Sequence, residues 1–231
     1  MERSVLITGA GGALAPNAAA AFAGANWRLA LAVRSESSAA RVRDQSPKAL
    51  ILRGDLAVPA EAARLVAQAE EELGALRAVV HLAGGFDMAA AVHLSDDAFE
   101  KQLNVNLRPV VNVTRAVLPG MLERGEGFIL GVAAKAALEG GERLGAYASA
   151  KAAVSAYLKS VAAEVDSQGV AVTVLYPMGA IDTQANRAAM PKADPATLVD
   201  PDELCQAMLF AASRGPRGRV RELMVHAKGG P

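Results

Sequence analysis

Cysteine is nearly missing from these 231 residues, and the one present, Cys205, has no partner with which to close a disulfide. The three histidines, His81, His93 and His226, are too scattered to suggest a metal site. Charge of either sign is in no excess, since 24 Lys and Arg balance 24 Asp and Glu. A nucleic-acid binder needs a basic surplus to neutralise phosphates, so nothing marks that class of partner. Long apolar runs are also lacking: none approaches the roughly 20 residues that cross a bilayer. The opening residues run straight into Val5-Leu6-Ile7 with no basic-then-apolar signal segment. The expectation is a soluble, cytoplasmic protein with no metal, membrane or nucleic-acid partner, whose ligand is a small molecule or another copy of itself. Cys205, inside Pro201-Asp202-Glu203-Leu204-Cys205-Gln206-Ala207-Met208, reads as a small buried apolar residue.

What the chain does have is alternation. Short β-branched or apolar runs are followed by longer alanine-rich amphipathic runs, the pattern of βαβ units in a parallel α/β sheet covered by helices on both faces. Strands are expected at 4–8, 28–33, 50–53, 78–82, 127–132, 170–175 and 221–225, and helices at 13–24, 59–73, 96–104, 110–123, 147–165 and 201–213. No composition shift or repeat points to a second domain. The irregular stretch from Pro177 to Val199 exceeds an ordinary loop in length and is expected to border a ligand, with room for a short helix at 184–190.

The first strand runs into Thr8-Gly9-Ala10-Gly11-Gly12-Ala13-Leu14-Ala15 and then a helix. Glycines let a backbone turn closely around a pyrophosphate, while unpaired N–H groups at the helix start face the anion, so Gly9, Gly11, Gly12 and Leu14 read as a dinucleotide site. After the second strand stands Arg34, where an acid would bind the adenosine ribose. Arginine there pairs with a 2′-phosphate, so NADP(H) is expected ahead of NAD(H); the other reading makes Arg34 a solvated loop charge and gives the ribose to Glu36. The third strand ends at Asp55-Leu56, where Asp55 either hydrogen-bonds the adenine amino group or caps the following helix. The fourth ends at Ala83-Gly84-Gly85-Phe86, whose glycines admit the nicotinamide half and whose Phe86 forms an aromatic wall. His81 is expected to pack near the strand end.

Further on, Tyr147-Ala148-Ser149-Ala150-Lys151 opens a long helix-forming run. Residues four apart share a helix face, so a phenol and an ammonium project side by side. A free tyrosine, with a pKa near ~10, is a sluggish acid unless a positive charge favours its phenolate.

With these features in this order, the sequence resembles the short-chain dehydrogenase/reductase family over nearly its whole length, including Asn106 in Asn104-Val105-Asn106-Leu107 and the closing Lys228-Gly229-Gly230. The resemblance implies a single Rossmann domain over 1–231, a doubly wound parallel sheet of about seven strands and a nicotinamide cofactor. It makes Tyr147 the general acid, has Lys151 bind the nicotinamide ribose and lower the Tyr147 pKa, and assigns Asn106 to a water relay from Lys151. Ala83, Pro177 and Thr183 join the cofactor residues, with Phe86, Ala134 and Met178 around the substrate.

Two departures qualify this. Ala13 and Ala15 replace glycines of the turn, and Ala134 stands where most members carry a serine that holds the substrate carbonyl. Ser149, on another helix face, cannot replace it. The run Ala134-Lys135-Ala136-Ala137-Leu138, with Gly12-Ala13-Leu14, Asn26-Trp27, Ala83-Gly84-Gly85-Phe86 and Asp182-Thr183, is similar to the serine-less dihydropteridine reductase branch. That branch implies hydride transfer to an activated conjugated substrate such as quinonoid dihydropterin, with NADH as its usual cofactor. The competing expectations are a general carbonyl or alcohol reductase and a non-catalytic NAD(P)-sensing protein. Apolar surface on Val110–Val117 and Ala152–Val165 points to a homodimer or homotetramer.

Overall fold

Seven apolar runs become strands, most of them bounded by glycine, proline or polar turn residues: β1 (Arg3–Thr8), β2 (Trp27–Val33), β3 (Leu50–Arg53), β4 (Ala78–His81), β5 (Gly127–Val132), β6 (Val170–Pro177) and β7 (Glu222–Val225). In the computed structural model, which describes residues 3–215 and 217–228, they form one sheet in the order β3-β2-β1-β4-β5-β6-β7. Every described pairing within it is parallel, with Ile7 opposite Leu31 on one side and Val80 on the other. Gly229 and Gly230 of the closing motif lie outside the described residues.

The helices are α1 (Ala15–Gly24), α2 (Glu36–Gln45), α3 (Pro59–Leu73), α4 (Asp96–Asn106), α5 (Arg108–Arg124), α6 (Ala136–Glu139), α7 (Gly145–Val165), α8 (Gln184–Ala189) and α9 (Pro201–Ala212). They cover both faces. Successive strand residues point to opposite sides, so Leu6 and Val79 join a cluster with Leu65, Val113 and Leu158, while Val5, Ile7 and Val80 join another with Phe22, Val42 and Met208. Both strand faces are therefore apolar, as buried parallel sheets require.

Two helices were not expected. α2 is polar, with only Ala39 and Val42 buried, and it is set by local chemistry instead: Ser35 caps it by accepting from the Ser38 N–H at 3.2 Å, with Glu36 in the first turn and Arg43 in the last. α6 is a single turn held by its own backbone bonds. Elsewhere the bounds move by a residue or two. α1 begins at Ala15 and not Ala13, because the glycine turn extends to Leu14, and β6 continues to Pro177.

One close contact sets the height of α7 above the sheet. A Cβ on Gly131 of β5 would overlap Leu158 Cδ1 of α7, so glycine lets the helix settle directly onto the strand.

Candidate active site

Strand order reverses between β1 and β4, and the crevice at their carboxyl ends is where open α/β sheets bind ligands. The two ends touch closely. Thr8 Oγ1 accepts the Ala83 N–H at 3.3 Å, and a Cβ on Gly9 would stand 2.5 Å from the Ala83 backbone. Gly9 also has φ +67°, a conformation that favours glycine, so the position is fixed twice over. The Gly12 N–H then donates to the Gly9 carbonyl at 2.9 Å and turns the chain into α1. Leu14, the N-cap of α1, offers no side-chain acceptor, and the first turn holds no acid. The chain itself leaves that positive helix end unanswered, which fits a pyrophosphate.

At the adenosine end Arg34 is exposed, while Glu36 is drawn away into an ion pair with Arg53 at 3.2 Å. A residue that the sequence did not single out reaches the glycine turn: the Arg41 guanidinium donates to the Gly11 carbonyl at 2.6 Å. Asp55 does not cap α3, whose N-cap is Val58; its Oδ1 accepts from the Ala57 N–H at 2.9 Å in a tight local turn. Leu56 behind it is buried.

On α7 the expected pair is present, but its electrostatics differ from expectation. Lys151 is 8% exposed and donates to the Val132 carbonyl at 2.8 Å, and burial pulls its ammonium pKa down to about 8. Burial likewise pushes the Tyr147 phenol up, opposite to the lowering expected from Lys151. The reason is geometric: the ammonium is turned toward β5, and desolvation dominates the phenol. Phe86 packs edge-on against the Tyr147 ring, with centroids 4.9 Å apart, yet remains 63% exposed at the mouth of the cleft.

Asn106 closes α4. Its side chain makes no direct bond to Lys151 but spans Gly85, with Oδ1 accepting the Gly85 N–H at 3.2 Å and Nδ2 donating to the Gly85 carbonyl at 3.0 Å. The same Nδ2 meets Gln102 Oε1 at 3.1 Å, a buried partner one helical turn back that the sequence gave no reason to notice.

Ala134 presents only a methyl group and is 9% exposed, and Ser149 is exposed. Pro177 closes β6, and its carbonyl accepts the Lys135 N–H at 3.1 Å. Met178 is half-buried and tied to Val225. Thr183 caps α8 by accepting the Asn186 N–H at 3.2 Å. Within the segment, an isolated parallel bridge joins Ile181 to Val199.

His81 is buried against Thr114 Oγ1 at 3.2 Å, with burial holding its pKa down at about 3, so it is neutral packing, as expected. Cys205 is buried and its thiol is pushed up to about 12, which removes it as a nucleophile. Among the described residues no three His, Cys, Asp or Glu side chains gather as a metal site, and no helix is long and apolar enough to cross a membrane.

The short chain dehydrogenase family matches residues 3–194, most of the chain and nearly all of the site. This chain belongs to that family. Among relatives of this short-chain dehydrogenase is a short chain dehydrogenase of Pseudocercospora fijiensis, 31% identical over 199 residues, which are 81% of this chain and 64% of the relative. Another is the 3-oxoacyl-[acyl-carrier-protein] reductase FabG of Vibrio harveyi, 34% identical over 151 residues, 62% of each chain. The chain thus spans less than two thirds of the length of either. A solved structure of an actinorhodin polyketide ketoreductase variant with NADPH superposes with a TM-score of 0.88 at 22% identity, covering 99% of this chain and 97% of that one. That likeness extends to the fold. The dihydropteridine reductase branch expected from the sequence finds no support in these comparisons.

Proposed function

We propose that the chain is an NAD(P)H-dependent oxidoreductase in which Tyr147 is the general acid, Lys151 its electrostatic partner and Asn106 the clamp on the loop that carries Phe86. The observation that carries this reading is the phenol and the buried ammonium on one face of α7, set at the switch-point crevice whose glycine turn fits a dinucleotide. When bound, a nicotinamide cofactor supplies the hydride. Gly9, Gly11, Gly12 and Leu14 would hold its pyrophosphate, Asp55 and Leu56 its adenine, and Ala83, Gly84, Gly85, Pro177 and Thr183 the nicotinamide half. Tyr147 delivers a proton from its hydroxyl to the heteroatom of the polarised double bond, so that hydride and proton together add one hydrogen molecule across it. Lys151 opposes the burial that holds that proton on.

Arg34 and Arg41 at the adenosine end, with Glu36 occupied by Arg53, favour NADPH over NADH. Tighter binding of NADH in a comparison of dissociation constants overturns that preference.

The substrate reading rests on Ala134. With no hydroxyl there, the site lacks a second donor for a developing oxyanion, which favours an acceptor already prepared for hydride, and quinonoid dihydropterin is the compound proposed from the sequence similarities. The residues Phe86, Ala134 and Met178 and the segment 177–199 would border it. The name of the Vibrio relative favours a second reading, a 3-oxo ester or thioester. Turnover of quinonoid dihydropterin and of acetoacetyl thioester, each with NADPH and with NADH, separates the two. Tyr147→Phe is expected to lose about 10²–10⁴-fold in rate on whichever is reduced; an unchanged rate removes Tyr147 as the acid, and turnover of neither compound removes both substrates. A homodimer or homotetramer in the cytoplasm is proposed with it, and a monomer in light scattering would refute the assembly.

A further inference from the structure

Asn106 carries an amide whose two ends differ, and its surroundings distinguish them. Oδ1 accepts the Gly85 N–H at 3.2 Å, whereas Nδ2 donates to the Gly85 and Gln102 main-chain carbonyls, each at 3.0 Å, and to Gln102 Oε1 at 3.1 Å. Asn106 is wholly buried and Gln102 is 2% exposed, so water does not supply substitutes. Gly84 shows where the amide faces: a Cβ there would lie 2.8 Å from Asn106 Oδ1 and 3.4 Å from Lys151 Nζ, so both atoms flank the same small gap. Turned over, the amide would set an NH₂ group against the Gly85 N–H and toward the Lys151 ammonium, donor against donor and dipole against charge.

We propose that Gln102 is a positioning residue for the Tyr147–Lys151 pair: its side-chain carbonyl fixes the orientation of the Asn106 amide, which keeps an acceptor oxygen turned toward Lys151 and the Gly85 loop clamped beneath Phe86. This deepens the catalytic reading of the site and rests on it. The charged groups nearest this region are accounted for. Lys151 is bonded to Val132 O, Lys101 on α4 faces outward to Asp87 at 3.3 Å, and Lys135 on the β5–α6 connection pairs with Glu139 at 3.6 Å. The polarity beside the ammonium on the Gly84 side is therefore that of the Asn106 amide.

Gln102→Met keeps the side-chain length and removes the acceptor. Its readout needs no substrate: the titration of Lys151 in lysine-labelled protein, followed by NMR and assigned with Lys151→Met. The midpoint is expected to fall by about half a pH unit or more in Gln102→Met, because the ammonium loses an oriented acceptor. Gln102→Leu is expected to lower it in the same way. A midpoint unchanged in either folded variant overturns the proposal, even where the melting temperature has dropped, because a merely structural role would move stability alone. In turnover, the proposal expects a loss in kcat with the cofactor KM held near wild type. Tyr147→Phe, measured alongside, keeps the two ideas apart: if it remains fully active the catalytic reading fails, whereas an inactive Tyr147→Phe beside a wild-type Lys151 midpoint in Gln102→Met removes only the role of Gln102.

Discussion

Holding Lys151 charged inside the protein costs stability, and the cost follows from its surroundings. Burial lowers its pKa from 10.5 to about 8. At neutral pH the ammonium is charged in both the folded and the unfolded chain, so the folded state bears the whole difference, about 3 kcal/mol. Lys151→Met removes the charge and keeps the apolar stem. It also strips the Val132 carbonyl of its 2.8 Å donor, which returns about 1 kcal/mol of the gain. A net stabilisation of about 2 kcal/mol is expected without nucleotide, or roughly 4–8 °C in melting temperature for a chain of this size. The sign of the pH dependence is fixed as well. Between pH 8 and 10.5 the unfolded chain binds the proton that the folded Lys151 has released, so Lys151 contributes a rise in stability with pH across that window, and Lys151→Met lacks that contribution. The Cys205 thiol and the Tyr147 phenol, both pushed up by burial, act in the opposite sense because the unfolded chain releases their protons first; both proteins carry these groups, so the Lys151 contribution is read from the difference between the two. Urea unfolding of both proteins at pH 7 and at pH 10 provides the measurement. Equal stability at pH 7, with parallel pH dependence, would refute the account of Lys151 as a destabilised group kept for its chemistry.

Two further perturbations address the cofactor half. Gly9→Ala places a Cβ 2.5 Å from the Ala83 backbone at φ +67°, so the β1 and β4 ends must separate; a loss of at least about 2 kcal/mol in urea unfolding is expected, and an unchanged midpoint would contradict the close approach. Replacing Arg34 and Arg41 together by alanine is expected to weaken NADPH about tenfold or more while leaving NADH within about twofold, as read by fluorescence titration; parallel losses would assign the two arginines to general attraction instead of the 2′-phosphate.

Where information is local, the sequence expressed it. β3, β5 and α3 fall at the expected residues because glycine or proline marks at least one end of each, and α8 lies within a residue of its expected span because Thr183 supplies its cap. α2 carried too little apolar periodicity to be read, although Ser35 and Glu36 were the available signals of its start. The site was legible in residue types and hidden in its wiring. Arg41 reaches Gly11 across 30 positions and Asn106 reaches Gly85 across 21, and neither spacing is written in any periodic pattern.

The pair on α7 shows the same division most clearly. Four-residue spacing is enough to put a phenol and an ammonium on one helix face, and from that alone mutual attraction is the natural inference. Depth is set elsewhere: Gly131 admits Leu158, α7 settles onto β5, and the Val132 carbonyl comes within 2.8 Å of Lys151. Once the helix sits that low, desolvation acts on both groups and moves their pKa values toward the neutral forms, the phenol upward and the ammonium downward. A site left in that state would be a weak acid beside an ammonium that releases its proton more readily. The acceptors that favour the ammonium, Val132 O directly and the Asn106 amide across Gly84, are therefore part of what makes the pair usable. Their placement depends on contacts that only the folded chain brings together.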